Sequence, residues 1–246
     1  MRNFLQADLK RLMRRVPLMI AILGMFIIHV AVVCYSYSRK SSASSFLGAA
    51  TTSFEILGII MVIVEFGAIF NDFMNANVMQ VAIGRGISRR RIVLFKYLEI
   101  AIVMCFNLLV LTLLNLILNP ILGARLEGSQ IRQLLILFVT SWIQHVGLLS
   151  FAMIPIFGFF SPTAGLILYI ALAADLDKGI LMMLKQIKGL EMLTLENYTF
   201  SSLENALASH LYLGTFSVSK FIPLVVYIVI AIFVSVRIFK KKELAL

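Results

Sequence analysis

Five stretches of the chain, residues 16–35, 54–70, 97–118, 134–158 and 221–238, are nearly unbroken runs of apolar side chains. A helix rises 1.5 Å per residue, so about 20 such residues cross about 30 Å of hydrocarbon. Each run therefore predicts a membrane-spanning helix. A sixth run, 163–174, is shorter and is closed by Asp175 and Asp177. It crosses only with little tilt, or if the apolar residues after Gly179 continue it. The expected fold is all-α: one polytopic transmembrane domain over 1–246, with six spans. The first run is too long for a signal-peptide core, and no small-residue cleavage site follows it, so it reads as a retained span.

The segments between the runs carry helical periodicity of their own. Before the first run, Phe4, Leu5, Leu9, Leu12, Met13 and Val16 share one face with Asp8, while Arg2, Gln6, Lys10, Arg14 and Arg15 occupy the others. This predicts an N-terminal helix lying in the membrane interface and continuing into the first span. Between the second and third runs, Asn71 or Asp72 is a plausible N-cap. Phe73 and Met74, then Val78, then Val81 and Ala82 follow at helical spacing, with Asn75, Asn77 and Gln80 on the polar side. The spacing predicts a short amphipathic helix over 71–83, with Phe and Met exposed as a docking face. Ser88 is placed to cap the next helix, and Arg89, Arg90 and Arg91 to anchor it at lipid headgroups. The longest connection, 175–220, holds two weakly amphipathic stretches, 179–195 and 201–213, which predict a pair of short helices. Segment 36–53 is Ser-rich and reads as a flexible loop, and 119–130 as a loop with one Pro and two Gly.

Charge orients the spans. The chain is 61% apolar and 14% charged with a formal net charge of +10, and its mean hydropathy is +0.97. A soluble domain of this size needs more charge to cover its surface. Fourteen of the 22 Lys and Arg residues lie in the N-terminal segment, the connection between spans two and three, and the C-terminal tail. The positive-inside bias then places both termini in the cytoplasm, which requires an even number of spans. Basic residues beside apolar runs are topology and headgroup signals, not a nucleic-acid surface.

Catalytic chemistry is not apparent. The dipeptide Gly-Lys is absent, which excludes a GxxxxGK[ST] phosphate loop, and there is no HExxH, GxSxG or CxxC. Cys34 and Cys105 lie inside apolar runs, and the three histidines fall in separate segments, so neither a disulfide framework nor a metal site is expected. Polar groups at membrane depth are costly enough to notice. Glu65 is the deepest carboxylate, suited to a cavity, a subunit interface or a structural pairing, whereas Glu55 is near enough to a span end to reach water. Asn107 and Asn115, eight residues apart with Thr112 nearby, suit interhelical hydrogen bonds; so do Gln144 and His145. His29 reads as an isolated, packed histidine.

These features resemble the permease subunit of type-2 ATP-binding cassette (ABC) exporters. The matching features are the basic amphipathic helix before span one, and the end of span two from Glu65 to Asn71-Asp72. They continue with the short helix and then the phrase Gly86-Ile87-Ser88-Arg89-Arg90-Arg91 entering span three, with six spans, a tight turn between spans four and five, and outer helices before span six. The resemblance implies that Asn71, Asp72, Phe73, Met74, Asn75, Asn77, Val78 and Gln80 belong to a cytoplasmic coupling helix docking into a separate ATPase. Two permease chains, identical or not, would work with two ATPase copies in a bacterial cytoplasmic membrane. ATP and Mg would sit on the partner, with no cofactor on this chain. The compact size is similar to permeases of lantibiotic immunity and phenol-soluble modulin export, which implies outward movement of amphipathic peptides. Lipid, drug or ion cargo is the alternative within the family. A non-transporting membrane immunity or sensor protein is the alternative outside it.

Overall fold

The computed structural model describes residues 2–74, 76–185 and 195–241, with the side chains of 2–5, 72, 76, 77 and 195 outside the described set. The described residues form ten α-helices and one 3-10 turn, with no strand. In chain order the helices are α1 (Arg2–Met13), α2 (Val16–Lys40), α3 (Ala43–Phe73), α4 (Ala76–Gly84) and α5 (Arg89–Leu122). Then come α6 (Gly128–Phe159), α7 (Pro162–Ala173), α8 (Leu176–Lys185), α9 (Phe200–Tyr212) and α10 (Val218–Lys241), with the 3-10 turn Leu195–Tyr198 just before α9. Five of them, α2, α3, α5, α6 and α10, are long and apolar enough to cross a membrane.

The helices outrun the apolar stretches. α5 has 34 residues, about 51 Å at 1.5 Å per residue, against about 30 Å of hydrocarbon. Segment 36–53 is therefore not a loop: α2 continues to Lys40 and α3 starts at Ala43. Between them Ser41 adopts φ 44°, and the Ser42 hydroxyl accepts the amide of Ser45 at 3.2 Å, an N-cap bond that starts α3. Packing overrides the indifferent helix propensity of the serines. Val33, Phe46, Ala50, Leu118, Ala124, Leu126 and Leu134 form a buried cluster there, and Tyr37 meets Phe46 edge-on with ring centroids 6.4 Å apart. The α5–α6 connection is likewise shorter than 119–130, and Asn119 Oδ1 holds it by accepting the amide of Leu126 at 3.1 Å.

α1 does not run on into α2. Arg15 is extended (φ −78°, ψ 99°) and Pro17 follows in the first turn of α2. A proline lacks the N–H that a continuous helix would need, yet fits a helix start.

The chain divides into two compact units. The first comprises Met1–Ile69 and Leu98–Trp142, the second Phe70–Tyr97 and Ile143–Leu246. In the second, α6 and α7 form a tight hairpin at the expected position. Phe160 turns the chain at φ 53°, Ser161 caps α7 by accepting the amide of Ala164 at 3.2 Å, and Pro162 opens the helix. The hairpin closes on Gly165, where a Cβ would stand 2.8 Å from the Ala152 carbonyl oxygen. α7 has 12 residues, only about 18 Å of rise, and it ends at a left-handed Asp175 (φ 53°). The apolar residues beyond do not continue it; they form the separate helix α8. α9 falls within one residue of the 201–213 stretch at each end. Thr199 caps it, its Phe200, Leu203 and Leu207 are buried, and it packs along α10. α8 buries none of its residues. The described part of the 179–195 stretch is helical to Lys185, and residues 186–194 lie outside the described residues.

Candidate functional site

The second unit holds the short helix between two long ones, but its boundaries differ from those the periodicity suggests. α3 runs on to Phe73, so Asn71 and Asp72 are its last turn and not a cap for α4, which starts at Ala76. Two features end α4. The amide of Ile87 reaches the Ala82 carbonyl at 3.2 Å and that of Gly86 reaches Ile83 at 2.9 Å, while Gly86 sits at φ 81°. This pair of bonds around a left-handed residue is a Schellman stop. Gly86 therefore sets the exit of the chain toward Ser88 and α5.

The exposed face of α4 also differs from expectation. Phe73 is 2% exposed and Met79 likewise 2%, with Ala82 buried beside it in sequence register. The Lys96 ammonium lies 4.7 Å from the centroid of the Phe73 ring, a cation–π contact that ties the end of α3 to α5. Val78 and Val81 are the outward apolar residues, 41% and 53% exposed. Val81 was not among the expected docking residues. Asn71 is exposed, and Met74 and Gln80 are half-buried. Asn75 lies outside the described residues, as do the side chains of Asp72 and Asn77. The Phe73 misreading is physical: its partner is 23 residues away in sequence, beyond the reach of local periodicity.

The basic run does two jobs. Arg89 turns inward, donating to the carbonyls of Phe239 at 3.0 Å and Lys240 at 3.1 Å, with its guanidinium carbon 5.6 Å from the Phe239 ring centroid. It thus satisfies the C-terminal carbonyls of α10. Phe239 in turn packs against Phe157, with centroids 4.9 Å apart and ring planes tilted by 43°. Arg90 and Arg91 are exposed. In the first unit Arg14 is exposed, whereas half-buried Arg15 donates to the Ala68 carbonyl at 3.0 Å.

The intramembrane polar residues are paired across helices. In the first unit Asn107 Nδ2 donates to Glu65 Oε1 at 2.5 Å, and Glu65 is fully buried. Its other oxygen has no hydrogen-bond partner among the described residues. His29 is not isolated. Its Nδ1 lies 2.9 Å from the Ser53 hydroxyl and its Nε2 lies 2.9 Å from Asn115 Oδ1. With the proton on Nε2, the ring donates to Asn115 and accepts from Ser53. Thr112 bonds back to the Leu108 carbonyl. In the second unit, His145 Nδ1 stands 2.8 Å from the Tyr169 hydroxyl, joining α6 to α7. Glu99, 1% exposed, also belongs to this class of buried polar group. Its signal was available: a carboxylate two residues inside the 97–118 run. Among the described residues no group of three His, Cys, Asp or Glu side chains could hold a metal ion.

No protein-family model matches the chain, and a search of curated proteins finds none that matches it. Among the described residues the fold is all-α, and its five long apolar helices are consistent with a multi-pass membrane protein.

Proposed function

We propose that this chain is the membrane permease subunit of an ATP-driven exporter of the type-2 ABC kind, with six crossings and both termini cytoplasmic. α4 carries the reading. It is a nine-residue helix between two long apolar ones, capped by a Schellman stop and presenting Val78 and Val81 outward. A two-turn helix with an exposed β-branched pair, at the side where basic residues concentrate, is suited to seat in a groove of a soluble partner. In this reading ATP and Mg reside on that partner. Two ATPase copies and a second permease chain would complete the assembly. In this reading α7 makes the fifth crossing despite its length, the bilayer thinning or α8 carrying it to the surface, at a cost of fractions of a kcal/mol per Å of mismatch. The cargo we favour is an amphipathic peptide moved outward, with lipid, drug or ion cargo as the alternatives.

Affinity-tagged protein from its native host tests this. An ATPase subunit should co-purify with the wild type, and Val78→Asp or Val81→Asp should reduce it at least tenfold while leaving the thermal stability of the permease unchanged. Loss of no ATPase in either variant, or no ATPase with the wild type, sinks the reading in favour of a non-transporting immunity or sensor protein. Phe73→Asp is the wrong probe, because it buries a charge and should impair folding instead.

A further inference from the structure

We propose that the groove between the start of α5 and the second half of α10 is a binding site for one anionic phospholipid. Its walls are Arg90 and Leu94 from α5, and Val229, Ile232, Phe233, Val236 and Lys240 from α10. The α10 residues recur at i, i+3, i+4, i+7 and i+11, one continuous stripe of the helix. The groove has a volume of about 390 Å³. Its floor is aliphatic and aromatic, and both of its cations stand at one end, Arg90 beside the N-terminus of α5 and Lys240 at the last turn of α10.

The chemistry selects the occupant. Val229 to Lys240 is eleven residues, about 16 Å of helix rise, close to half of the roughly 30 Å hydrocarbon thickness. The groove is therefore one leaflet deep, with an apolar floor for an acyl chain and its charge where a headgroup lies. A helix C-terminus ordinarily repels anions, but Arg89 already takes the carbonyls of Phe239 and Lys240, so the α10 end is neutralised from within. Arg90 and Lys240 are both exposed, and the first amides of α5 add positive potential beside Arg90. A phosphodiester placed between them meets two cations and a helix N-terminus, whereas a zwitterionic choline headgroup brings its own cation to the same spot. The site does not depend on the exporter reading, since it uses neither α4 nor a partner chain.

Native mass spectrometry on the full-length, delipidated protein tests it, with dioleoyl phosphatidylglycerol, dioleoyl phosphatidylcholine and glycerol 1-phosphate as probes. Phosphatidylglycerol should be retained at one copy per chain, phosphatidylcholine at least tenfold more weakly, and the headgroup phosphate alone not at all. The double variant Arg90→Gln/Lys240→Gln should weaken phosphatidylglycerol roughly thirtyfold, from two interfacial charges. Val229→Trp, at an exposed position on the apolar end, should displace the lipid with both cations intact. Arg91→Gln, exposed but outside the groove, should change binding less than twofold. Equal binding of the two lipids, an unchanged double variant, displacement by glycerol 1-phosphate, or an Arg91→Gln loss matching the double variant would each overturn the proposal.

Discussion

Glu65 and Asn107 show how a buried polar pair is priced inside an apolar bundle. Oε1 accepts from Asn107 and Oε2 has no partner among the described residues. Removing only the asparagine side chain leaves the carboxyl buried and unbonded, which costs about 1–3 kcal/mol. Replacing both members with apolar residues removes the desolvation penalty along with the bond. Asn107→Ala should therefore lower the melting temperature in detergent, while Glu65→Leu/Asn107→Leu should restore most of the loss. A double variant no better than Asn107→Ala would mean that the pair itself stabilises the bundle. Gly147 makes a steric point at the same scale. A Cβ there would stand 1.9 Å from the Phe200 Cζ, and the ring cannot simply rotate away because Phe151 packs on it with centroids 6.1 Å apart. Gly147→Ala should cost about 1–3 kcal/mol by overpacking, and Phe200→Leu in the same chain should relieve much of it. Gly165→Ala should resist such rescue by a side-chain change at Ile156, because the Ala152 backbone oxygen remains in the way.

Among elements, the exit of α4 is held by backbone conformation. Gly86 is left-handed at φ 81° with open space where a Cβ would go, so Gly86→Ala meets no neighbour and is opposed only by backbone strain, about 1–2 kcal/mol. Gly86→Asn should be milder, since Asn tolerates this region. Hydrogen exchange over 76–87 should accelerate in the alanine variant and less in the asparagine one. The end of α8 has an electrostatic tie instead, Lys185 Nζ to Glu196 Oε1 at 2.7 Å. That hydrogen bond, aided by a backbone N–H, holds the Glu196 carboxyl below its ordinary value. A depressed acid stabilises the folded form above the ordinary glutamate pKa of about 4.3 and loses that contribution as pH falls through the lower, folded value. In a side-chain carboxyl ¹³C titration, Lys185→Gln should move the Glu196 midpoint upward. An unmoved midpoint would remove Lys185 as the cause. The sequence made the elements of this region readable where the signal is local: the tight turn before α7, the amphipathic stretch 201–213 that became α9, and a short helix between the second and third apolar runs. It misled where the deciding contact is distant. Phe73 is covered by Lys96, His29 is bonded to residues 24 and 86 positions away, and the serines of 36–53 other than Ser41 and Ser42 are helical because Phe46 and Ala50 pack on Val33 and Leu118.

For the whole molecule, the open quantity is parity. Five apolar runs became five long helices, because a run of about 20 apolar residues has no other low-energy state in lipid than a hydrogen-bonded helix. α7 escapes that argument: at 12 residues it is long enough to enter the hydrocarbon and too short to cross it unaided. If it crosses, the termini share a side and the basic segments at 2–15, 85–96 and 237–242 all face the cytoplasm, as the charge bias demands. If it turns back, the lysines in the last turn of α10 lie outside, against that bias. Single cysteines in a chain lacking Cys34 and Cys105 decide it. With an impermeant maleimide on intact cells, Ser42→Cys at the α2–α3 turn and Asn197→Cys in the 3-10 turn should label, while Ser88→Cys before α5 and Lys241→Cys at the end of α10 should label only after lysis. Labelling of Lys241→Cys in intact cells, with Ser88→Cys still protected, would give five crossings. The fixed fifth span of the exporter reading would then be lost while the α4 docking test stood unaffected.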